Sequence, residues 1–129
     1  MNKIIVEVSI GELLDKISIL EIKQVKIKDP DKIRYINNEY SILKSQFEKN
    51  VKSDDKLNQL YKSLKEINSK LWIIEDDKRQ CEKNNEFGEK FIKLSRDVHF
   101  LNDDRAKIKL EINIHSGSKI REIKQYKKY

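Results

Sequence analysis

The 129-residue chain has one cysteine, one proline and three glycines, and Ala106 is its sole alanine. A lone Cys81 closes no intrachain disulfide and supplies no Cys-rich zinc site, a usage that fits a reducing cytoplasm. So few Gly and Pro argue against a many-turned sandwich or a glycine-cradled nucleotide fold, because tight turns need positions of positive φ. No apolar run approaches the roughly 20 residues that cross a bilayer, and the segment from Met1 to Lys16 has no apolar stretch leading to a small-residue cleavage site. The length leaves room for one core only. The expectation is a single, mostly helical, unexported domain over residues 1–129.

Single-sign charge is also scarce. Lys and Arg number 28 against 22 Asp and Glu, for a net charge of +6 and a pI near 9.3. Lysine, isoleucine and asparagine are abundant, the bias of an AT-rich genome, and acids interleave with lysines in every segment but the last. No long basic helix face emerges to track a phosphate backbone, so nucleic acid is not an expected partner.

Residues 3–8 are mostly β-branched and predict a short strand or extended arm. Ser9-Ile10-Gly11-Glu12 is a capping box, with the Ser hydroxyl accepting from the N–H three residues on and Glu12 reaching back. Helix one therefore starts at Ile10, with Ile10, Leu13, Leu14, Ile17, Leu20 and Val25 as its stripe, and ends at Asp29-Pro30. The same dipeptide starts helix two, with Asp29 as cap and Pro30 in the first turn. Ile33, Ile36, Tyr40, Leu43 and Phe47 form its buried face. A polar turn over 50–55, with Ser53 as candidate cap, leads into helix three. There Leu57, Leu60, Leu64, Ile67, Leu71 and Ile74 recur at heptad spacing and continue to Lys78 and Cys81, nearly thirty residues or about 45 Å. Helices two and three are expected to form a long antiparallel hairpin. After a loop over 83–88, helix four begins near Glu89, with the stripe Phe91, Leu94, Val98, Leu101, Arg105, Ile108 and Ile112. It stops before Ser116-Gly117-Ser118, where Gly117 suits a left-handed cap. The tail from Lys119 to Tyr126 either pairs with the opening strand or frays. The predicted fold is thus an all-α antiparallel bundle of four principal helices with short extended ends.

Arg105 interrupts an apolar stripe, where an unpaired charge is costly; it must snorkel, meet a carboxylate or bind an anion. Arg96, His99, Asn102 and Asp103 follow at helical spacing beside it, and the small Ala106 lets another helix approach. Trp72, Glu75, Asp76 and Arg79 share a face of helix three, and Glu12 and Asp15 lie in the first turns of helix one. Converging faces would make either a ligand site or a structural salt-bridge network. Glu75 and Asp76 are the expected carboxylate partners of Arg105. His99 and His115 lack the i, i+4 partner of a zinc helix, so no metal is assigned. Mg²⁺ on Glu12, Asp15, Glu75, Asp76 and Asp103 enters only if the cluster is a ligand site, since acids at helix starts also oppose the macrodipole. Cys81 ends a heptad stripe and reads as a small buried hydrophobe.

Three blocks resemble an uncharacterised family of short helical proteins, bacterial and phage-borne in character, known only as a domain of unknown function. They run from Val6 to Lys23, from Leu71 to Arg79 with its Leu-Trp-Ile-Ile-Glu-Asp segment, and from Phe91 to Lys109 with Asn102-Asp103-Asp104-Arg105-Ala106-Lys107-Ile108-Lys109. Gly117-Ser118-Lys119 adds to them. The resemblance implies a single domain and no established activity. His99 stands where the family pattern has a tyrosine, which argues against an essential proton transfer there. The acidic pattern of helical nucleotide pyrophosphohydrolases is present only as a fragment, Glu12 and Asp15, and the helix-one arginine of helical chorismate mutases is missing.

No reaction is named by these residues. The expected role is a helical binding or assembly protein, cytoplasmic and homo-oligomeric, because 37% hydrophobic content and so long a helix leave the heptad stripe under-covered. The alternative is an enzyme or sensor for a small anionic ligand, such as a nucleotide or sugar phosphate, at the polar cluster.

Overall fold

The computed structural model describes residues 2–125, 127 and 128. Four helices follow one another: α1 (Ile10–Lys26), α2 (Pro30–Asn50), α3 (Asp55–Lys83) and α4 (Glu89–Ser116). Their ends are set by local chemistry. The Ser9 hydroxyl accepts from the Glu12 N–H at 3.0 Å and starts α1. Asp29 accepts from the Asp31 and Lys32 N–H groups, and Pro30 occupies the first turn of α2. Gly117 takes φ +70° after α4, a left-handed position where any Cβ is strained. At α3 the expected cap Ser53 is displaced by Asp54, which accepts from the Leu57 N–H at 2.8 Å. Asp54 brings a full negative charge to the positive helix end and is also held by His115, 2.8 Å away.

The long hairpin joins α3 to α4, not α2 to α3 as expected. Asp54 meets His115 at its base, and Lys78 lies over the Phe91 ring towards its tip. α2 packs on α1 instead, and α1 alone touches all three other helices. The reason lies in α1 itself: it buries seven residues, including Leu14, Ile17, Leu20 and Ile22, while α2 buries only Ile36 and Phe47. A helix apolar on several sides takes the centre, and a narrow stripe stays outside. Val25, assigned to the α1 stripe, is exposed near the end of the helix.

The core gathers Leu14 and Ile17 of α1, Phe47 of α2, Leu57 and Leu64 of α3, and Ile112 of α4. It lies at one end of the hairpin. At 1.5 Å per residue, the 17 residues of α1 span about 25 Å and the 29 of α3 about 43 Å, so the hairpin outreaches α1 by roughly 18 Å. That projecting part is an arm of two helices. Of the two readings of the opening segment, the extended arm holds and the paired strand does not: among the described residues no strand occurs, and Ile4, Ile5 and Val6 are exposed. A two-stranded ribbon with no helix packed on it is marginal in water. The tail segment read as either pairing or fraying ran to Tyr126, which lies outside the described residues. No helix among the described residues is long and apolar enough to cross a membrane.

Candidate functional site

Two rows of side chains meet where α1 crosses α4. On α1 they are Gly11, Asp15 and Ser18; on α4, running the opposite way, they are Asn113, Lys109 and Arg105. Gly11 makes the crossing possible, since a Cβ there would fall 2.6 Å from the Lys109 carbonyl oxygen and 2.9 Å from Asn113 Oδ1. The close approach lets Asn113 Oδ1 accept from the Gly11 N–H at 2.7 Å. Ser118 Oγ accepts from the Ile10 N–H at 3.2 Å, and Ser9 Oγ from that of Glu12. The N–H groups that the first turn of α1 leaves without helical partners are thereby satisfied from three directions.

Asp15 is the centre of the site and only 2% exposed. Arg105 grips it with two prongs, Nε to Oδ1 at 3.1 Å and Nη2 to Oδ2 at 2.5 Å. Asn68 of α3 donates from Nδ2 to Asp15 Oδ1 and to Ser18 Oγ, both at 2.8 Å, and Ser18 donates back to the Asp15 carbonyl. Lys109 Nζ faces three carboxylates: Glu12 at 2.7 Å, Glu122 at 3.3 Å and Asp15 at 3.4 Å. Among the described residues no buried side-chain polar atom is left without a partner. Burial pushes the Asp15 carboxyl up, but hydrogen bonds from Arg105 and Asn68 and the charges of Arg105 and Lys109 outweigh it and hold the group below its usual range.

Of the sequence-predicted site residues, the structure brings together Arg105, Asp15 and Glu12. The expected partners of Arg105, Glu75 and Asp76, are exposed on the arm, and Asp15 takes their place. The hairpin register sets Arg105 level with Leu64, eleven residues or about 16 Å along α3 from Glu75. Arg79 and Arg96 are also exposed on the arm; Trp72 is half-buried on α3, and Asn102 and Asp103 are half-buried on α4. Sequence reasoning missed Asn68, Lys109, Asn113, Ser118 and Glu122. One signal was present for two of them: Lys109 and Asn113 continue from Arg105 in steps of four, the spacing of one helix face.

A second carboxylate ties α1 to its other neighbours. Glu21 accepts from the Tyr40 hydroxyl at 3.0 Å and from the Tyr61 hydroxyl, and it pairs with Lys65 at 3.2 Å. Burial and the Glu21 carboxylate push the Tyr61 phenol far above its usual range. Among the described residues no group of three or more His, Cys, Asp or Glu is placed to hold a metal ion. Two open grooves border these elements. One of about 330 Å³ lies beside the network, where Lys107, Lys109 and Lys124 meet Asp103 and Glu122 over an apolar wall that includes Leu110. The other, about 400 Å³, lies on the arm between Ile73 and Ile74 of α3 and Phe100 and Leu101 of α4.

Fold and site together define an all-α bundle fastened by a buried network in which each cation already faces carboxylates. Residues 4–129 match the model of a family described as Family of unknown function (DUF6165), and the chain belongs to that family. No curated protein and no solved structure matches the chain.

Proposed function

We propose that this protein is a non-catalytic helical assembly protein, cytoplasmic and membrane-free, whose bundle is a rigid base and whose α3/α4 arm binds a second copy. One observation carries the reading: the arm exposes apolar side chains on a two-helix layer, with Ile73 51% exposed beside the 400 Å³ groove and Ile92 55% exposed nearer the tip. A two-helix layer has one buried seam, and further apolar groups gain from leaving water only by meeting another surface. The buried network supports the same reading. Arg105 and Lys109 are matched by Asp15, Glu12 and Glu122, so they serve to join α1, α3, α4 and the C-terminal segment. Light scattering from micromolar to hundred-micromolar protein tests it: the expected mass is about twice 15.4 kDa, and 15.4 kDa throughout refutes self-association.

A second reading rests on the groove beside Lys109. Lys107, Lys109 and Lys124 line it with Asp103 and Glu122, which leaves one net positive charge, and Ala106, Leu110 and Ile123 supply an apolar wall, a chemistry that could take a small anion with an apolar body only by displacing Glu122 from Lys109 and Lys124. Mg²⁺ belongs to this reading alone, as the counter-ion of a nucleotide or sugar phosphate. A thermal-shift screen of such ligands with and without Mg²⁺ decides it, since a ligand at a hundred times its Kd stabilises by about 2.7 kcal/mol.

A further inference from the structure

The two most exposed large apolar side chains among the described residues, Ile4 at 89% and Ile5 at 81%, stand ahead of α1, with Val6 69% exposed beside them. They sit on an extended segment that no strand pairs, and residues 4–8 lie inside the stretch matched by the family, so the segment belongs to the domain. A β-branched run with open backbone edges is a template for another strand.

The order of residues in the segment selects that strand. Successive side chains of an extended chain point to opposite faces, which puts Lys3, Ile5 and Glu7 on one face and Ile4, Val6 and Val8 on the other. Lys3 and Glu7 are both exposed and lie two residues to either side of Ile5. When two copies run antiparallel with Ile5 opposite the partner's Ile5, Lys3 faces the partner's Glu7 twice over, and Ile4 faces the partner's Val6 on the other face. Opposite charges and β-branched pairs across strands are both stabilising. A slip of one residue sets Lys3 against Val6 or Glu7 against Ile4, and a slip of two sets one of the charges against Ile5. Parallel pairing in register puts like charges together and brings two chains of charge +6 to the same end. The segment is therefore complementary to itself in one direction and one register.

We propose that two copies of this chain pair their opening segments as an antiparallel ribbon, with Ile5 on the two-fold axis and Lys3 opposite the partner's Glu7. The two Ser9 residues then stand eight residues apart along the ribbon, about 27 Å, so the α1 helices start well beyond the roughly 8 Å over which salt screens charge. Each end of the ribbon runs directly into an α1. There Ser118 accepts from the Ile10 N–H and donates to the Ile120 carbonyl, which keeps the exposed Ile120 beside the root of the segment. The helix end and this apolar side chain provide the packing that a bare ribbon lacks. The contact lies outside the α3/α4 arm and does not depend on it.

Single cysteines test the register. The segment precedes every helix, so the variants are expected to keep the parent's circular dichroism, and Cys81, 1% exposed, stays silent. Under mild oxidation Ile5→Cys should form a covalent dimer of twice 15.4 kDa at least ten-fold faster than Ile4→Cys or Val6→Cys, because position 5 faces itself across the axis. Positions 4 and 6 face each other, so an equimolar mixture of I4C and V6C should form a mixed dimer at the faster rate. All three sites are exposed, and chance encounters treat them alike. Adding Lys3→Glu to I5C should slow the reaction about ten-fold, and K3E/I5C/E7K should recover it. Equal rates at the three positions, or a mixture no faster than its components, overturn the pairing and leave the open edge to a strand of another protein. A rate unmoved by Lys3→Glu overturns the charge-selected register. Neither outcome touches the α3/α4 reading, which light scattering of the parent decides separately.

Discussion

Replacing Arg105 with methionine keeps most of its volume and removes the charge that grips Asp15. Breaking a buried ion pair from one side costs about 3–5 kcal/mol, because the remaining charge is stranded away from water. Here Asp15 is not wholly stranded: Lys109 stays 3.4 Å away and Asn68 still donates at 2.8 Å. Arg105 itself keeps 28% of its side chain in water, so its own desolvation is incomplete. The expected loss is therefore about 2–3 kcal/mol at pH 7, read from urea unfolding followed by circular dichroism at one fixed protein concentration. Adding Asp15→Leu removes the second charge, leaving Lys109 with Glu12 and Glu122 and Asn68 with Ser18. The double variant should recover part of the loss, with a coupling energy of about 1–3 kcal/mol in the cycle. A single variant within 0.5 kcal/mol of the parent, or a cycle with no coupling, refutes the view that this pair fastens α1 to α4 (threshold from the usual surface-substitution range of about 0.5).

The same variant makes a prediction about acid. In the parent, Asp15 titrates below its ordinary value of 3.8, so its contribution is complete above the unfolded pKa and is lost as pH falls below about 4. Without Arg105, the hydrogen bond and charge that lowered it most are gone, and burial drives it upward. Protonating Asp15 then relieves the variant while it weakens the parent. The stability gap between the two should narrow as pH falls from 6 to 3, and a constant gap would show that Asp15 does not feel Arg105.

Two further substitutions test the supports of the site. Gly11→Ala gains up to about 1 kcal/mol of helix propensity, but its Cβ meets the Lys109 carbonyl oxygen at 2.6 Å; a net loss of about 1–2 kcal/mol in urea unfolding is expected, and any stabilisation refutes the close crossing. Tyr61→Phe removes a donor to the Glu21 carboxylate, which keeps Tyr40 and Lys65, and the half-exposed setting limits the loss to about 1 kcal/mol. A Tyr61→Phe protein as stable as the parent would show that water replaces that hydroxyl.

Helix number, helix ends and the anomaly at Arg105 were legible in the sequence because each is local. Ser9, Asp29, Pro30 and Gly117 act within four residues of themselves, and a charge in an apolar stripe is visible wherever the stripe is. The choice of partners was not local. Heptad spacing in α3 announces a seam without saying which helix fills it, and the even Leu57-to-Ile74 repeat suited α2 as well as α4. What decided the matter was the relative breadth of apolar surface on α1 and α2, a comparison between helices that no single stripe contains.

Arg105 shows the same boundary more sharply. Its need for a carboxylate follows from one helix, but acids were on offer from α1 and from α3, and the nearer-looking pair, Glu75 and Asp76, stands on the arm. The rows themselves held the discriminating feature. Gly11, Asp15 and Ser18 step along α1 by four and three, and Arg105, Lys109 and Asn113 step along α4 by four; reversed in direction, the two rows match small residue to amide and carboxylate to cations. Glycine within a helix costs up to roughly 1 kcal/mol, less in the first turn where Gly11 sits, and argues for a close neighbour when it stands beside a charge row. A complementary pair of rows, anchored by a helical glycine, predicts a polar helix crossing more specifically than an isolated buried charge does, because it constrains both helices and the direction in which they run.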